Sequence, residues 1–224
     1  MTIQNFLGVD TIFFTFLNYP MSYIEFFGTI FTGWSVYLAA KNKVLTWPIS
    51  LLGIILYGFL FYQVHLYSDL LEQLYYFVTS FWGWYLWAKP KNAAIDPDTK
   101  ELKVGSLPRK TFLPYAVLII ASTYFLGLFM SRIHLFLPAY FPEAASFAYL
   151  DSFTTVLSFV ATILLAKRIV ESWYIWIIVD IIGIWLYFQK DVAFLSLLYL
   201  AFLINAFYGL SKWKKTIAKY EERV

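Results

Sequence analysis

The sequence predicts an all-α membrane protein in which two parallel three-helix repeats are joined by a linker helix, giving seven transmembrane helices. Three observations predict this fold class: the composition, an internal repeat, and the placement of lysine and arginine. Of the 224 residues, 61% are hydrophobic and only 14% are charged, whereas a soluble domain has about 25% charged residues. Aromatic residues make up 22%, which suits helices that need amphipathic side chains at two membrane interfaces.

One segment of the chain occurs twice, first over 23–87 and again over 149–213. Each copy has about 65 residues, enough for three crossings at roughly 20 residues each. An internal repeat of membrane helices is typical of transporters, which hold their substrate between the repeats. A shift of 126 residues aligns identical residues at Tyr23/Tyr149, Phe27/Phe153, Thr29/Thr155, Lys41/Lys167, Trp47/Trp173, Gln63/Gln189, Gly83/Gly209 and Trp87/Trp213.

The predicted crossings follow from seven apolar runs, which are 22–40, 46–64, 69–88, 112–131, 147–166, 173–189 and 192–211. The first three and the last three runs fall inside the two copies, so the fourth is a linker helix. With a single helix between them, both repeats enter the membrane from the same side. The repeats are therefore predicted to be parallel and related by an axis along the membrane normal.

The remaining segments flank or connect these helices. Phe, Leu and Ile are spaced along 6–17 and along 132–146, so both are predicted to lie in the outer interface as short amphipathic helices. The predicted units are an outer N-terminal segment 1–21, a first repeat 22–88, a cytoplasmic loop 89–111, a linker helix with its outer loop 112–146, a second repeat 147–213 and a cytoplasmic tail 214–224.

The basic residues predict the orientation. All of the 17 lysines and arginines except Arg132 and Lys190 follow the first, third, fifth or seventh run, which a seven-helix topology places on one side. Short loops rich in Lys and Arg face the cytoplasm. The N-terminus is therefore predicted to lie outside and the C-terminus inside. Because the positive charge sits in short loops, we expect no nucleic-acid partner.

Residues for catalysis or metal binding are scarce in this chain. It has no cysteine and only two histidines, His65 and His134, both in predicted outer loops. It contains no HExxH motif, no Ser–His pairing within a membrane run and no carboxylate cluster with metal-ligand spacing. We therefore expect no catalytic residue, no metal site and no cofactor, and we predict that the protein is not an enzyme.

The sixth run carries the strongest candidate binding residues. Trp173, Trp176 and Asp180 are spaced i, i+3, i+7, which puts two indoles and a carboxylate on one helical face. An aspartate in the middle of a membrane helix costs about 2.5–3.5 kcal/mol on insertion, so Asp180 should face the bundle interior. A carboxylate beside two indoles suits a flat cationic aromatic ligand. The alternatives are an interfacial tryptophan and an aspartate that hydrogen-bonds a neighbouring helix.

Further side chains are candidates for the same site. Gln73 and Asn205 carry amides that donate and accept, as ribose hydroxyls or a carboxamide require. Each amide has the alternative role of an ordinary interhelical hydrogen bond. In the first repeat, Trp47 takes the place of Trp173. The predicted substrate-binding set is Trp173, Trp176, Asp180, Gln73, Asn205, Tyr76, Tyr199 and Trp47.

Short motifs along nearly the whole chain, from about 22 to 213, resemble the PnuC family of bacterial vitamin transporters. In the first repeat they are Ile24-Glu25, Gly28-Thr29-Ile30, Tyr62-Gln63, Leu66-Tyr67, Leu70-Leu71, Gln73, and Gly83-Trp84-Tyr85 with Trp87. In the second repeat they are Asp151-Ser152, Val156-Leu157-Ser158, and Glu171 with Trp173 and Trp176.

The resemblance implies a fold similar to the SWEET sugar transporters, a homotrimer in the bacterial inner membrane, and facilitated uptake of nicotinamide riboside, an NAD precursor. A cytoplasmic kinase would then trap the vitamin by phosphorylation. Asp180 departs from the family pattern, because nicotinamide riboside members tend to carry Asn there. Thiamine, carried by PnuT-like members, is the alternative substrate, and riboflavin is linked to other members. A sugar carrier and a non-transporting scaffold are the alternatives from other classes.

Overall fold

A bundle of helices accounts for most of the computed structural model, which describes residues 6–16, 19–63, 67–90, 103–139, 141, 144–189 and 193–222. Within these ranges there are seven helices, preceded by one β-hairpin. The helices are α1 (Tyr23–Ala40), α2 (Thr46–Gln63), α3 (Tyr67–Ala88), α4 (Arg109–Phe136), α5 (Ala148–Ala166), α6 (Glu171–Gln189) and α7 (Ala193–Glu221).

Each predicted apolar run corresponds to one of these helices, and two helices continue at least five residues beyond the end of their runs. The last helix, α7, continues through the lysine-rich segment to Glu221. The linker helix α4 continues to Phe136, so His134 lies in its last turn and not in a loop. The separate interfacial helix predicted over 132–146 is wrong for the described residues, because α4 extends into this segment and no second helix follows before α5.

Five helices are long and apolar enough to cross a membrane, namely α2, α4, α5, α6 and α7. The other two, α1 and α3, carry acidic residues close to their N-terminal ends, Glu25 on α1 and Asp69 and Glu72 on α3. Each of these two helices also contacts one helix of the other half of the bundle, as described below.

An antiparallel β-hairpin precedes α1, with strands β1 (Ile12–Phe16) and β2 (Tyr19–Ser22). A helix over 6–17 is the sequence-based prediction, and it is wrong for the residues of β1. The strand reads Ile-Phe-Phe-Thr-Phe, and β-branched and aromatic side chains favour strand over helix. The hairpin ends at Ser22, whose hydroxyl accepts a 3.4 Å hydrogen bond from the Glu25 amide and so caps α1.

The first helix of each repeat ends in the same way. A residue with positive φ follows the end of each helix, Asn42 (φ 54°) after α1 and Arg168 (φ 57°) after α5. The next amides, those of Lys43 and Ile169, each donate to a carbonyl five residues earlier, which is the Schellman arrangement. Asn42 and Arg168 coincide under the shift of 126 residues. The repeat in sequence is therefore also a repeat in backbone conformation.

Helix packing divides the bundle into two halves. Within each half the helices pack in chain order, α1 on α2 and α2 on α3, then α5 on α6 and α6 on α7, while α4 packs on α5. Two contacts join the halves, α1 with α7 and α3 with α5. We call these the α1–α7 seam and the α3–α5 seam. The repeat relates α1 to α5 and α3 to α7, so it also relates one seam to the other.

Candidate functional site

Four tryptophans form a chain of ring contacts at the end of the bundle where α1, α3 and α5 finish. We call this the basic end, because most lysines and arginines follow these helices or lie late in α7. Trp47 meets Trp87 with ring centroids 5.4 Å apart, and Trp173 meets Trp213 at 5.5 Å. Trp87 and Trp213 lie 6.3 Å apart and connect the two pairs. All four are at most 3% exposed. This tryptophan core therefore fills the basic end.

Two glycines make room for the tryptophan core. A Cβ on Gly83 would lie 2.5 Å from the Trp47 ring, and a Cβ on Gly209 would lie 2.7 Å from the Trp173 ring. Carbon atoms do not approach so closely in a packed interior, so only glycine lets these indoles lie against α3 and α7. The repeat matches both the glycines and the tryptophans. The identical residues that reveal the repeat thus form one packing unit in each half.

Two of the predicted binding residues, Trp47 and Trp173, belong to the tryptophan core. A ligand reaches their buried rings only after neighbouring side chains move. Trp176 lies almost one turn further along α6, is half-buried and packs against the core from its side. Of the two tryptophans on the predicted binding face, Trp176 is therefore the one that remains accessible in this conformation.

A second group of side chains lies nearer the opposite end, where the two halves meet. Glu72 of α3 accepts a 2.7 Å hydrogen bond from Thr155 of α5. Tyr76 follows one turn later on α3, and its ring meets Phe159 of α5 with centroids 6.1 Å apart. Tyr187 of α6 and Tyr199 of α7 stack with centroids 5.2 Å apart, and both lie within electrostatic range of Glu72. We call Glu72, Tyr76, Tyr187 and Tyr199 the tyrosine–glutamate cluster.

Asp180 lies on α6 beside this cluster. Asp180 is 3% exposed and lies within electrostatic range of Tyr199. One turn later on α6, a Cβ added to Gly183 would lie 2.3 Å from the Tyr199 ring. Glycine at this position therefore lets the ring pack closely against α6. A carboxylate buried inside a membrane helix is costly without a polar or cationic partner. The surroundings of Asp180 are therefore suited to a cationic ligand.

Asn205 offers a free hydrogen-bond donor on α7. Its amide nitrogen Nδ2 is buried and has no hydrogen-bond partner in the described part of the chain. An unpaired buried donor costs about 1–3 kcal/mol, so few remain in a protein unless a ligand or a second conformation uses them. At 1.5 Å per residue, Asn205 lies about 9 Å along the helix from Tyr199. The amide therefore extends the site from the tyrosine–glutamate cluster towards the basic end.

The register of α6 against α7 brings Trp176 level with Asn205. Two contacts set this register, Trp173 against Gly209 and Tyr199 against Gly183. Because α6 and α7 run antiparallel, both contacts place Trp176 opposite Ala206, the residue that follows Asn205. The predicted residues on α6 and α7 therefore form a column about 15 Å long, with tryptophan rings at the basic end and a carboxylate and a tyrosine further along.

The remaining predicted residues lie on α3. Tyr76 is part of the tyrosine–glutamate cluster, and Gln73 is half-buried next to Glu72. The structure thus brings Asp180, Tyr76 and Tyr199 together and places Gln73 beside Glu72. Trp47 and Trp173 lie apart from this group in the tryptophan core.

Two cluster residues, Glu72 and Tyr187, are absent from the sequence-based prediction. Each had a detectable signal. Glu72 stands four residues before Tyr76 and so shares its helical face, and Tyr187 stands one turn after Gly183 on the predicted binding helix. The same spacing occurs at many other aromatic and polar residues of this chain. Only the packing against a neighbouring helix shows that Glu72 and Tyr187 belong to the cluster.

At the end opposite to the basic end, Tyr19 of the hairpin contacts both halves. Its hydroxyl donates a 2.5 Å hydrogen bond to Glu25 of α1, and its ring stacks on Phe194 of α7 with centroids 5.5 Å apart. Burial raises the pKa of Tyr19, and the hydrogen bond to the Glu25 carboxylate raises it further. The phenol therefore remains a donor at physiological pH and ties the hairpin across the α1–α7 seam.

Other surfaces do not coincide with this site. A groove of about 370 Å³ lies between Phe6, α1 and α2, and none of the predicted binding residues lines it. Its described walls consist of Phe, Leu and Ile, which suit lipid chains better than a polar ligand. Within the described ranges, no group of three or more His, Asp or Glu side chains is placed to hold a metal ion.

Comparison with known proteins shows similarity along most of the chain. Residues 22–215 match the family model described as nicotinamide mononucleotide transporter. The chain is 29% identical over 213 residues to the nicotinamide riboside transporter PnuC of Escherichia coli, covering 88% of this chain and 87% of that protein. It is 26% identical over 177 residues to the riboflavin/roseoflavin transporter RibM of Streptomyces davaonensis, covering 79% and 77%.

A solved structure has the same fold. The crystal structure of the vitamin B3 transporter PnuC aligns with a TM-score of 0.63 at 24% identity, covering 86% of this chain and 80% of that one. The alignment includes most of the helical bundle described above, so the architecture is shared despite low sequence identity.

Proposed function

Because the chain belongs to the nicotinamide mononucleotide transporter family, we propose that it carries nicotinamide riboside across the bacterial inner membrane by facilitated diffusion. The observation that carries the proposal is Asp180, a carboxylate only 3% exposed inside a membrane helix and beside Tyr199. A positively charged pyridinium ring is the kind of ligand that stabilises a carboxylate in such surroundings. Nicotinamide riboside contains this ring.

The other parts of nicotinamide riboside fit the remaining side chains of the site. The face of Trp176 is available for stacking on the ring. The carboxamide and the ribose hydroxyls both donate and accept hydrogen bonds, as do the side chains of Gln73, Tyr76 and Tyr199. The unpaired Nδ2 of Asn205 supplies a donor at the level of Trp176. In this proposal Trp47 and Trp173 are part of the tryptophan core next to the ligand. They contact the ligand only when the core rearranges.

We further propose that α1–α3 and α5–α7 are parallel repeats that move against each other around this site, with α4 as the linker helix. Three features support the arrangement: the matched Schellman ends of α1 and α5, the matched tryptophan–glycine packing units, and the two related seams. All seven helices cross the membrane in this scheme. Transport then alternates access to a site near the bilayer midplane.

The orientation proposed here places the basic end in the cytoplasm, with the N-terminus outside and the C-terminus inside. The short lysine- and arginine-rich connections after α1, α3 and α5 support this orientation. Released vitamin would then meet a cytoplasmic kinase, whose phosphorylation of the product keeps it in the cell. The exposed apolar face of α4, which includes Leu113, Ile120 and Phe125, is available for lipid and for the neighbouring copies of a homotrimer.

Calorimetric titration of the purified protein with nicotinamide riboside, followed by thiamine, tests the proposal. Binding of nicotinamide riboside supports it, and the variant Asp180→Leu should then lose that binding. The matched control is Glu222→Gln, which removes an acidic charge from an exposed position and should leave affinity unchanged. Binding of thiamine alone would assign the thiamine alternative. Binding of neither vitamin would overturn the proposed function.

A further inference from the structure

The two seams are related by the repeat, yet different interactions hold them together. Hydrogen bonds join the halves along the whole α3–α5 seam. From the start of α3 to its end, the bonds are Thr155 Oγ1 to Glu72 Oε1 at 2.7 Å, Tyr75 Oη to the Phe159 carbonyl at 2.9 Å and Trp87 Nε1 to the Ala166 carbonyl at 2.9 Å. The bond of Trp87 is buried and the other two are partly buried, and a buried polar group left unpaired costs about 1–3 kcal/mol.

Ring contacts reinforce the α3–α5 seam. The Tyr75 ring stacks on Phe159 with centroids 3.9 Å apart. At the basic end, the Arg168 guanidinium lies over the Trp87 ring, 5.7 Å from its centroid. Such a cation–π contact contributes about 0.5–2 kcal/mol, with the larger values for desolvated pairs.

The segment just before α4 is attached to the second half at the basic end. Val104 is 5% exposed and packs into the tryptophan core. Gly105 forms a parallel bridge with Ile169, and the amide of Leu107 donates to Glu171 Oε2 at 2.8 Å. These bonds tie this segment to the turn between α5 and α6 and to the first turn of α6.

A ring contact holds the α1–α7 seam at the basic end. Tyr37 stacks on Tyr208 with centroids 6.2 Å apart and an angle of 15° between the rings, and no hydrogen bond joins α1 to α7 among the residues that the structure describes. The repeat predicts one from Trp213 Nε1 to the Ala40 carbonyl, the counterparts of Trp87 and Ala166. Trp213 Nε1 is instead buried without a partner.

We propose that the α1–α7 seam opens at the basic end while the α3–α5 seam stays closed and acts as the hinge. Substrate then leaves between α1 and α7. Stacked rings separate or slide with little loss of free energy, whereas separation at α3–α5 breaks several hydrogen bonds. The inference rests on the proposed transport function and adds to it the side of the bundle that moves.

Cysteine pairs at positions related by the repeat give a matched test. Lys41 and Lys215 lie across the α1–α7 seam at the basic end, and Lys89 and Lys167 are their counterparts across the α3–α5 seam. All four side chains are exposed. Each pair loses one cation–π contact on substitution, Lys41 with Tyr37 or Lys89 with Tyr85. The chain has no other cysteine, so spin labels attach only where intended.

Pulsed electron paramagnetic resonance on the labelled pairs in lipid nanodiscs measures the two seams directly. We expect a broad or two-peaked distance distribution for Lys41→Cys/Lys215→Cys, with a shift on adding nicotinamide riboside. We expect one narrow, unchanged distribution for Lys89→Cys/Lys167→Cys. Equal change in both pairs, change only in the second pair, or no change in either would overturn the inference.

A transport measurement separates this inference from the proposed function. Bridging each cysteine pair with a bifunctional thiol reagent should abolish uptake of nicotinamide riboside into liposomes for the 41/215 pair and leave most of it for the 89/167 pair. Absence of uptake by the unmodified protein would count against the proposed substrate. The distance distributions of the substrate-free protein would still decide which seam opens.

Discussion

Trp87 and Trp213 occupy equivalent positions in the two repeats and lie 6.3 Å apart, yet only one of them donates its indole N–H. Trp87 Nε1 donates to the Ala166 carbonyl at 2.9 Å, while Trp213 Nε1 is buried without a partner. An unpaired buried donor costs about 1–3 kcal/mol. The tryptophan core is therefore held more firmly on the α3 side than on the α7 side.

Removing the charge of Asp180 is expected to weaken binding of nicotinamide riboside. A hydrogen bond or contact with a charged group contributes about 1.5–3 kcal/mol, and 1.4 kcal/mol is a factor of ten. Asp180→Asn, which keeps the shape and loses the charge, should lower the affinity about tenfold, and Asp180→Leu should lower it by about a hundredfold or more. Calorimetry measures both. Equal affinity of Asp180→Asn and the unmodified protein would show that the site needs a hydrogen bond there and not a negative charge.

Replacing Gly83 with alanine is expected to destabilise the bundle. The new Cβ would lie 2.5 Å from Trp47, and overpacking of this kind costs about 1–3 kcal/mol. Gly33→Ala is the matched control, because Gly33 is also helical and has no atom within 4 Å of an added Cβ. Helix propensity favours alanine by about 1 kcal/mol at both positions. Thermal unfolding in detergent should therefore show a lower Tm for Gly83→Ala and an equal or higher Tm for Gly33→Ala.

Truncation of Trp176 should reduce affinity without unfolding the protein. Stacking of a flat ring on an aromatic side chain contributes about 1–3 kcal/mol, so Trp176→Ala should weaken binding of nicotinamide riboside by about 5- to 150-fold. Trp34→Ala is the control, since Trp34 is 47% exposed on α1 and outside the site. If both variants bind like the unmodified protein, Trp176 faces lipid and does not stack on the ligand.

Loss of the Tyr19 hydroxyl should destabilise the end opposite to the basic end. Tyr19→Phe keeps the ring that stacks on Phe194 and removes the donor to Glu25. Without this donor the Glu25 carboxylate lacks one hydrogen bond, which should lower the free energy of unfolding by about 1–3 kcal/mol. Thermal unfolding measures the change. Tyr62→Phe is the control, because Tyr62 is 62% exposed. An unchanged Tm for Tyr19→Phe would show that the hydrogen bond adds nothing to the contact between rings.

The pH dependence of the Tyr19 contact follows from the raised pKa. When folding raises the pKa of a tyrosine, the protonated phenol stabilises the folded state fully at pH values below the pKa of free tyrosine, about 10. This stabilisation is lost only as the pH rises through the higher pKa of the folded state. The difference in Tm between the unmodified protein and Tyr19→Phe should therefore be constant from about pH 6 to 9. A difference that disappears within this range would contradict a protonated donor.

Particular residues show where inference from sequence succeeds and where it stops. The interior position of Asp180 follows from the cost of a charge in lipid, and the structure buries it. The spacing of Trp173 and Trp176 correctly puts both on one face of α6, but it cannot tell that Gly209 admits Trp173 into a packed core. The strand Ile12–Phe16 has apolar spacing that also fits an interfacial helix, and its pairing with Tyr19–Ser22 decides between them.

The sequence by itself determined the repeat, the positions of the helices and the candidate binding helix α6, because these depend on the order and periodicity of residues along one stretch of chain. Only the tertiary structure decided which tryptophans are enclosed, that Glu72 and Tyr187 join the site, and that one seam carries hydrogen bonds while its counterpart does not. Those properties depend on groups that are distant in the sequence, such as the Trp87 indole and the Ala166 carbonyl, which are 79 residues apart. No local pattern records which of many similar aromatic residues meet across a helix interface.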